Sequence, residues 1–105
     1  MYRGTTPTFT FTLPETVDLT EADSVYVTFA EMDETLIYTK TGEELSIEEH
    51  SVEVYLTQEE TLALPDGRVK VQLNWLYEEG TLLKRACSNI ITIDANKNLL
   101  DEVLE

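Results

Sequence analysis

Along most of the chain apolar and polar side chains alternate with a period of two, and that alternation confines the chain to β structure. The longest row sets Val69, Val71, Leu73, Trp75 and Tyr77 against Lys70, Gln72 and Asn74. Successive residues of an extended strand project to opposite faces, so such a row buries one face and leaves the other wet. Residues 7–13 repeat the pattern, with Phe9, Phe11 and Leu13 on one face and Thr8, Thr10 and Thr12 on the other. In residues 24–31 the inward set is Val25, Val27 and Phe29, and residues 35–41 give a shorter third strand. Leu45 and Ile47 mark a brief fourth strand; Val52, Val54 and Leu56 alternate with Glu53, Tyr55 and Thr57 in a fifth. The row from Val69 is the sixth and the best candidate for the centre of a sheet. Residues 82–93 read as the seventh.

Turn chemistry separates these rows. Glu31-Met32-Asp33-Glu34 and Thr41-Gly42-Glu43-Glu44 are polar reversals, and Pro65-Asp66-Gly67 places a fixed φ before a permissive residue. A turn centred on Glu79-Gly80 would set Trp75 opposite Lys84 and Leu73 opposite Ala86. Helical signal is scarce. Thr57-Gln58-Glu59-Glu60 fits a capping box, Pro65 stops whatever it starts, and Leu62 and Leu64 are placed to plug the end of the core. Asn98 is positioned to cap a short C-terminal helix, with Leu99, Leu100, Val103 and Leu104 on one side and Asp101, Glu102 and Glu105 on the other. Seven short strands with a turn about every ten residues describe an all-β protein. The expectation is an immunoglobulin-like antiparallel β-sandwich of about seven strands, with one short helical turn and a short C-terminal helix or tail. Residues 1–94 form the sandwich in this reading, and residues 95–105 an acidic amphipathic tail whose four apolar side chains seek an apolar surface, on the same body or, as the alternative, on a neighbouring copy.

Charge narrows the range of partners. The 105 residues carry 21 acids and 7 bases, a net charge of −14. Residues 1–67 hold fifteen of the acids against only Arg3 and Lys40, whereas residues 68–105 hold six acids and five bases. Such a surface repels phosphate backbones and anionic lipid, so neither nucleic acid nor membrane is an expected partner. No apolar run approaches the ~20 residues of a membrane span, and the first residues lack a signal-peptide core. Synthesis in the cytoplasm is the corresponding expectation.

Catalytic groups are few. One Cys excludes an intrachain disulfide, and a single Cys with a single His cannot make an ordinary Cys/His metal cluster. Cys87 lies within the seventh strand, where a small packing role suits it, and His50 stands in the polar Glu49-His50-Ser51 turn as a solvated residue. Nothing joins them as nucleophile and base. The four glycines stand alone at positions 4, 42, 67 and 80, so there is no phosphate-cradling loop and no nucleophile elbow. The carboxylate pairs fall at strand ends and lack calcium-loop spacing, leaving at most a weak cation site at Asp33. The expected protein is not an enzyme and needs no cofactor.

Candidate binding residues are then surface ones. Trp75 belongs to the inward row and reads as core. Tyr26 and Tyr55 alternate with the inward residues of their strands, which makes them anchors for a protein interface. The apolar side chains of the tail, Leu99, Leu100, Val103 and Leu104, join them as candidate contacts. Fifteen threonines favour exposed strand positions, and an open sandwich has edges able to pair with another chain. A small ligand- or carbohydrate-binding module using aromatic side chains on the sheet is the alternative.

Four segments in this order, Arg3-Gly4-Thr5-Thr6-Pro7-Thr8-Phe9-Thr10-Phe11-Thr12-Leu13-Pro14, Leu56-Thr57-Gln58-Glu59-Glu60-Thr61-Leu62, Val69-Lys70-Val71-Gln72-Leu73 and Asp101-Glu102-Val103-Leu104, carry a family resemblance. The chain resembles small proteins encoded in prophages of gut Firmicutes, which are similar in turn to the β-sandwich domain at the N-terminus of phage baseplate upper proteins. The resemblance implies a virion structural protein of the tail or baseplate, assembled with other phage proteins or with itself. It brings no functional residues with it.

Overall fold

The computed structural model describes residues 1–104. Eight strands make two antiparallel sheets. The smaller contains β1 (Thr8–Thr12), β5 (Ser51–Tyr55) and β4 (Leu45–Ile47), in that spatial order. The larger runs β3 (Leu36–Thr41), β2 (Ser24–Ala30), β6 (Gly67–Glu79) and β7 (Leu82–Cys87), with β8 (Ile91–Ala95) also paired to β6. This order is that of strands B, E, D against C′, C, F, G in an immunoglobulin-like sandwich. The all-β sandwich read from the alternation is therefore the observed architecture.

The inward rows of both sheets meet in one core. Val25, Val27 and Phe29 of β2 and Val69, Val71, Leu73 and Trp75 of β6 pack against Phe11 of β1 and Val52 and Val54 of β5. Trp75 is 7% exposed, so the longest row supplies the centre of the larger sheet, as its length suggested. The ends of the sandwich are closed by Leu19, on a 3-10 turn over Leu19–Glu21, and by Leu56 and Leu64. Leu64 is buried as anticipated, whereas Leu62 remains half-buried. Helix α1 (Gln58–Leu62) is the one turn announced by its capping box: Thr57 Oγ1 accepts from the Glu60 amide at 3.2 Å and Glu60 Oε1 accepts from the Thr57 amide at 2.9 Å.

Three local expectations are corrected. The segment 82–93 is two strands, not one. Asn74 pairs with Cys87 and Val71 with Ile91, so three residues, 88–90, stand against two on β6. The extra residue bulges, and Ser88 holds the gap: its amide donates to the Leu73 carbonyl at 2.9 Å, and its Oγ accepts from the Leu73 amide at 3.0 Å. Because side chains alternate, one extra residue switches the inward set from even numbers (Ala86) to odd ones (Ile93, Ala95).

The β6–β7 register also differs. Trp75 pairs with Ala86 and Tyr77 with Lys84, two residues from the expected alignment. The hairpin turns on Gly80-Thr81 rather than Glu79-Gly80, because Gly80, at φ +64°, occupies the left-handed first position of a two-residue turn. Lys84 stands opposite Tyr77 rather than Trp75, with its ammonium 3.3 Å from Glu79. Finally, the described part of the tail contains no helix. The Leu100 amide does donate to Asn98 Oδ1 at 3.2 Å, but so short a segment cannot hold successive helical turns, and the backbone instead bends at Leu99, Leu100 and Glu102.

Candidate interaction surface

Tyr26 and Tyr55 lie on opposite outer faces of the sandwich. Tyr26 is half-buried on β2 of the larger sheet; Tyr55, 51% exposed, is on β5 of the smaller. They cannot belong to one contact. The tail residues form a third location, at the pole occupied by α1 and the N-terminus. There Gln58 makes two bonds with the Leu104 backbone, donating Nε2 to its carbonyl at 3.0 Å and accepting its amide at 2.8 Å. Arg3 pairs with Asp101 at 3.1 Å, and Asn98 Nδ2 donates to the Arg3 carbonyl at 3.0 Å. The tail thus lies against its own body through polar bonds, while Leu99, Leu100, Val103 and Leu104 stay exposed. Docking through those apolar groups, the reason given by the sequence, is not what holds it.

The outer face of the larger sheet is built from cross-strand rows. Thr39, Thr28 and Gln72 form one, Thr41, Tyr26, Asn74 and Cys87 the next, and Ser24, Leu76 and Arg85 a third. Thr28 and Thr39 share a hydroxyl hydrogen bond of 3.1 Å. Arg85 Nε donates to Asn74 Oδ1 at 3.1 Å, which fixes the guanidinium over the sheet. Tyr26, Thr28, Thr39, Asn74, Leu76 and Arg85 line a shallow depression of about 350 Å³. None of these three rows contains a carboxylate. In a chain with 21 acids that absence is a marked composition. Acids return in the positions beyond these rows: Glu78 follows Leu76 on β6, opposite Leu83, Glu34 stands 3.9 Å from Lys70, and Asp94 4.0 Å from Arg68.

Arg85, Asn74 and Leu76 are absent from the residues chosen by sequence. Part of their signal was present, since they occupy outward positions of strands whose inward parity was evident, but which of them share a row follows from strand order and register. The smaller sheet differs, since its outer rows of Thr8 and Tyr55, Thr10, Glu53 and Ser46, and Thr12 and Ser51 include a carboxylate at the centre.

Two residues read as inert have other surroundings. Cys87 is exposed rather than packed, because the bulge ends β7 beside it and its parity is that of Asn74. His50 is half-buried, with Nδ1 2.7 Å from the Val17 carbonyl, and so ties its turn to the segment after β1. A second depression, of about 400 Å³, opens between β1 and the bulge, lined mainly by Phe11, Leu13, Val17, Leu73, Trp75 and Ile91. Among the described residues no three His, Cys, Asp or Glu side chains converge as a metal site.

The shifted ionisations are structural. Partial burial pushes the Glu60 carboxyl up, but hydrogen bonds from Lys40 and the Thr57 amide, with the Lys40 charge, hold it below its ordinary value. Burial, reinforced by the Glu60 charge, raises the Tyr38 phenol, whose hydroxyl donates to the Glu60 carbonyl at 3.0 Å. Asp33 is lowered by the amide and then the hydroxyl of Thr35; the amide donates to its Oδ1 at 3.0 Å. That carboxylate serves its own turn.

No family model, curated protein or solved structure matches the chain. No helix is long and apolar enough to cross a membrane.

Proposed function

We propose that the protein is a non-enzymatic structural component that works by protein–protein contact, with a phage tail or baseplate as its setting. The observation that carries the contact reading is the set of three acid-free cross-strand rows on the outer face of the five-stranded sheet. Interface cores are depleted in Asp, Glu and Lys and enriched in Tyr and Arg, and here Tyr26, Leu76 and Arg85 sit together on a flat sheet in an otherwise acidic molecule. The phage setting is supported by the resemblance of the four segments described above. In a repeated assembly, avidity compensates for a modest contact per copy.

The experiment is to induce phage particles from cells carrying this coding sequence, purify them on a density gradient and identify their proteins by mass spectrometry. Peptides of this chain are expected to co-purify with the particles in stoichiometric amounts. Particles assembled without it would overturn the reading. The depression at Tyr26 and Arg85 favours the alternative of a small-ligand module, since its volume lies at the lower end of ligand pockets. With Trp75 turned inward, that module would rest on Tyr26 alone among aromatic platforms of this face. Saturable shifts of the Tyr26 and Arg85 resonances on glycan titration would support it.

A further inference from the structure

Strand β7 ends one side of the larger sheet, and among the described residues no strand pairs with its outer side. The Ser88 amide bonds to the Leu73 carbonyl, and Ser88 continues the register that β7 keeps with β6. Even-numbered residues of β7 therefore turn their backbone groups to β6, and Leu83, Arg85 and Cys87 turn theirs to the open side. Leu82 and Leu83 are 62% and 63% exposed. An edge with free amides, free carbonyls and uncovered leucines is a template for another strand. Pairing with β7 of a second copy, antiparallel about its middle, would set Lys84 against Arg85, and like charges directly opposite repel. The edge suits an acidic strand.

The tail supplies one. Residues 82–87 read Leu-Leu-Lys-Arg-Ala-Cys and residues 99–104 read Leu-Leu-Asp-Glu-Val-Leu. Both set two charges between apolar pairs, with opposite signs. Aligned antiparallel, Asp101 falls opposite Arg85 and Glu102 opposite Lys84, with Leu99 at Cys87 and Leu104 at Leu82. The four apolar side chains of the tail are exposed, and these residues belong to no strand or helix. The edge of its own chain is out of reach. Ala95 stands beside Gly67 and Leu82 beside Glu79, the two ends of β6, ~40 Å apart along the strand. Residues 97–104, fully extended, span at most ~28 Å. Only another copy can receive this tail on β7.

We propose that residues 99–104 of one copy add as an antiparallel strand to the open edge of β7 in another. The tail then gives up its polar bonds with Gln58 and Arg3, and its backbone groups bond to Leu83, Arg85 and Cys87 of the receiving copy. Donor and acceptor surfaces differ, so reciprocal exchange closes a pair, and one-way exchange adds copies in line. A single six-residue strand is a small contact, with an affinity of about 10 to 100 µM. Two bodies of charge −14 repel, but at about 0.15 M salt the screening length is only ~8 Å, so the local pairs decide the contact. This inference rests on the reading of the chain as an assembly component and names one of its contacts.

Sedimentation equilibrium of the full chain at about 0.15 M NaCl, from about 1 µM to about 1 mM, tests it. The mean mass of the wild type is expected to rise from the 12.0 kDa of one chain to at least twice that. Lys84→Glu and Glu102→Lys should each weaken association about fivefold, and the double variant, with the pair reversed, should recover it. Both side chains are exposed, so near-ultraviolet circular dichroism of Trp75 is expected to stay unchanged and reports on folding independently. Leu99→Cys, opposite Cys87 in this register, should crosslink between copies under oxidised glutathione faster than Leu104→Cys does. A wild type that stays monomeric throughout overturns the proposal, as does association indifferent to both single reversals, single losses without recovery in the double, or equal crosslinking of the two cysteine variants. A monomer that still co-purifies with particles would refute strand exchange between copies and leave the assembly reading standing.

Discussion

At the scale of the residue, both bases of the acid-rich part of the chain act inside it. Arg3 donates Nε to the Leu64 carbonyl at 2.8 Å and Nη2 to the Leu62 carbonyl at 2.7 Å, closing the end of α1, where helical carbonyls lack partners. Lys40 is 6% exposed and pairs with Glu60 and Glu44. Neither is a free surface cation. Replacing Lys40 by Met removes a charged hydrogen bond while Glu60 can still turn toward water, so a loss of about 2 kcal/mol is expected, or roughly 10 °C in melting temperature. The Glu60 pKa is depressed in the folded chain, so its stabilising contribution is fully present above the ordinary value of 4.5 and disappears as pH falls through the folded value. Acidification from pH 7 to pH 3 should therefore lower the melting temperature of Glu60→Gln less than that of the wild type. Equal losses would show that the pair does not contribute to acid sensitivity. Charge counts made Lys40 conspicuous, but its burial was not legible, because an inward position at Lys40 interrupts the apolar row of β3.

At the scale of the element, strands and the capped turn were legible because their signals are local. Phe9 and Phe11, or Val52 and Val54, state their face within five residues, and the Thr57 box needs only four. The bulge was legible in principle, since Ala86 takes even parity and Ile91, Ile93 and Ala95 odd, a switch that one inserted residue explains. Deleting Asn89 should therefore do severe damage: it forces one register on 82–95 and turns either Ala86 or Ile93 and Ala95 away from the core. Ala95 is fully buried, so loss of a cooperative thermal transition is the expected result. A deletion variant that melts like the wild type would show that the bulge is incidental. The tail failed as a helix for the converse reason. Its apolar spacing suited one, but its backbone partners, Gln58 and Arg3, are remote in sequence.

At the scale of the whole molecule, 21 acids on a body of 52 × 29 × 20 Å repel one another. Raising NaCl from about 0.01 M to about 0.15 M shortens the screening length from ~30 Å to ~8 Å and should raise the melting temperature by several degrees. A fall instead would mean that ion pairs such as Lys40 with Glu60 outweigh the general repulsion. The uneven charge also leaves three acid-free rows on the larger sheet, which appear only when β2, β3, β6 and β7 are set side by side. By itself the sequence determined the inward parity of β1, β2, β5 and β6 and the sandwich class, because alternation is written along the chain and burial follows from it. Tertiary structure alone decided which outward residues share a row, how Arg85 comes to stand beside Leu76, and where the tail lies. Those relations join positions tens of residues apart through strand order and register, which no local pattern encodes.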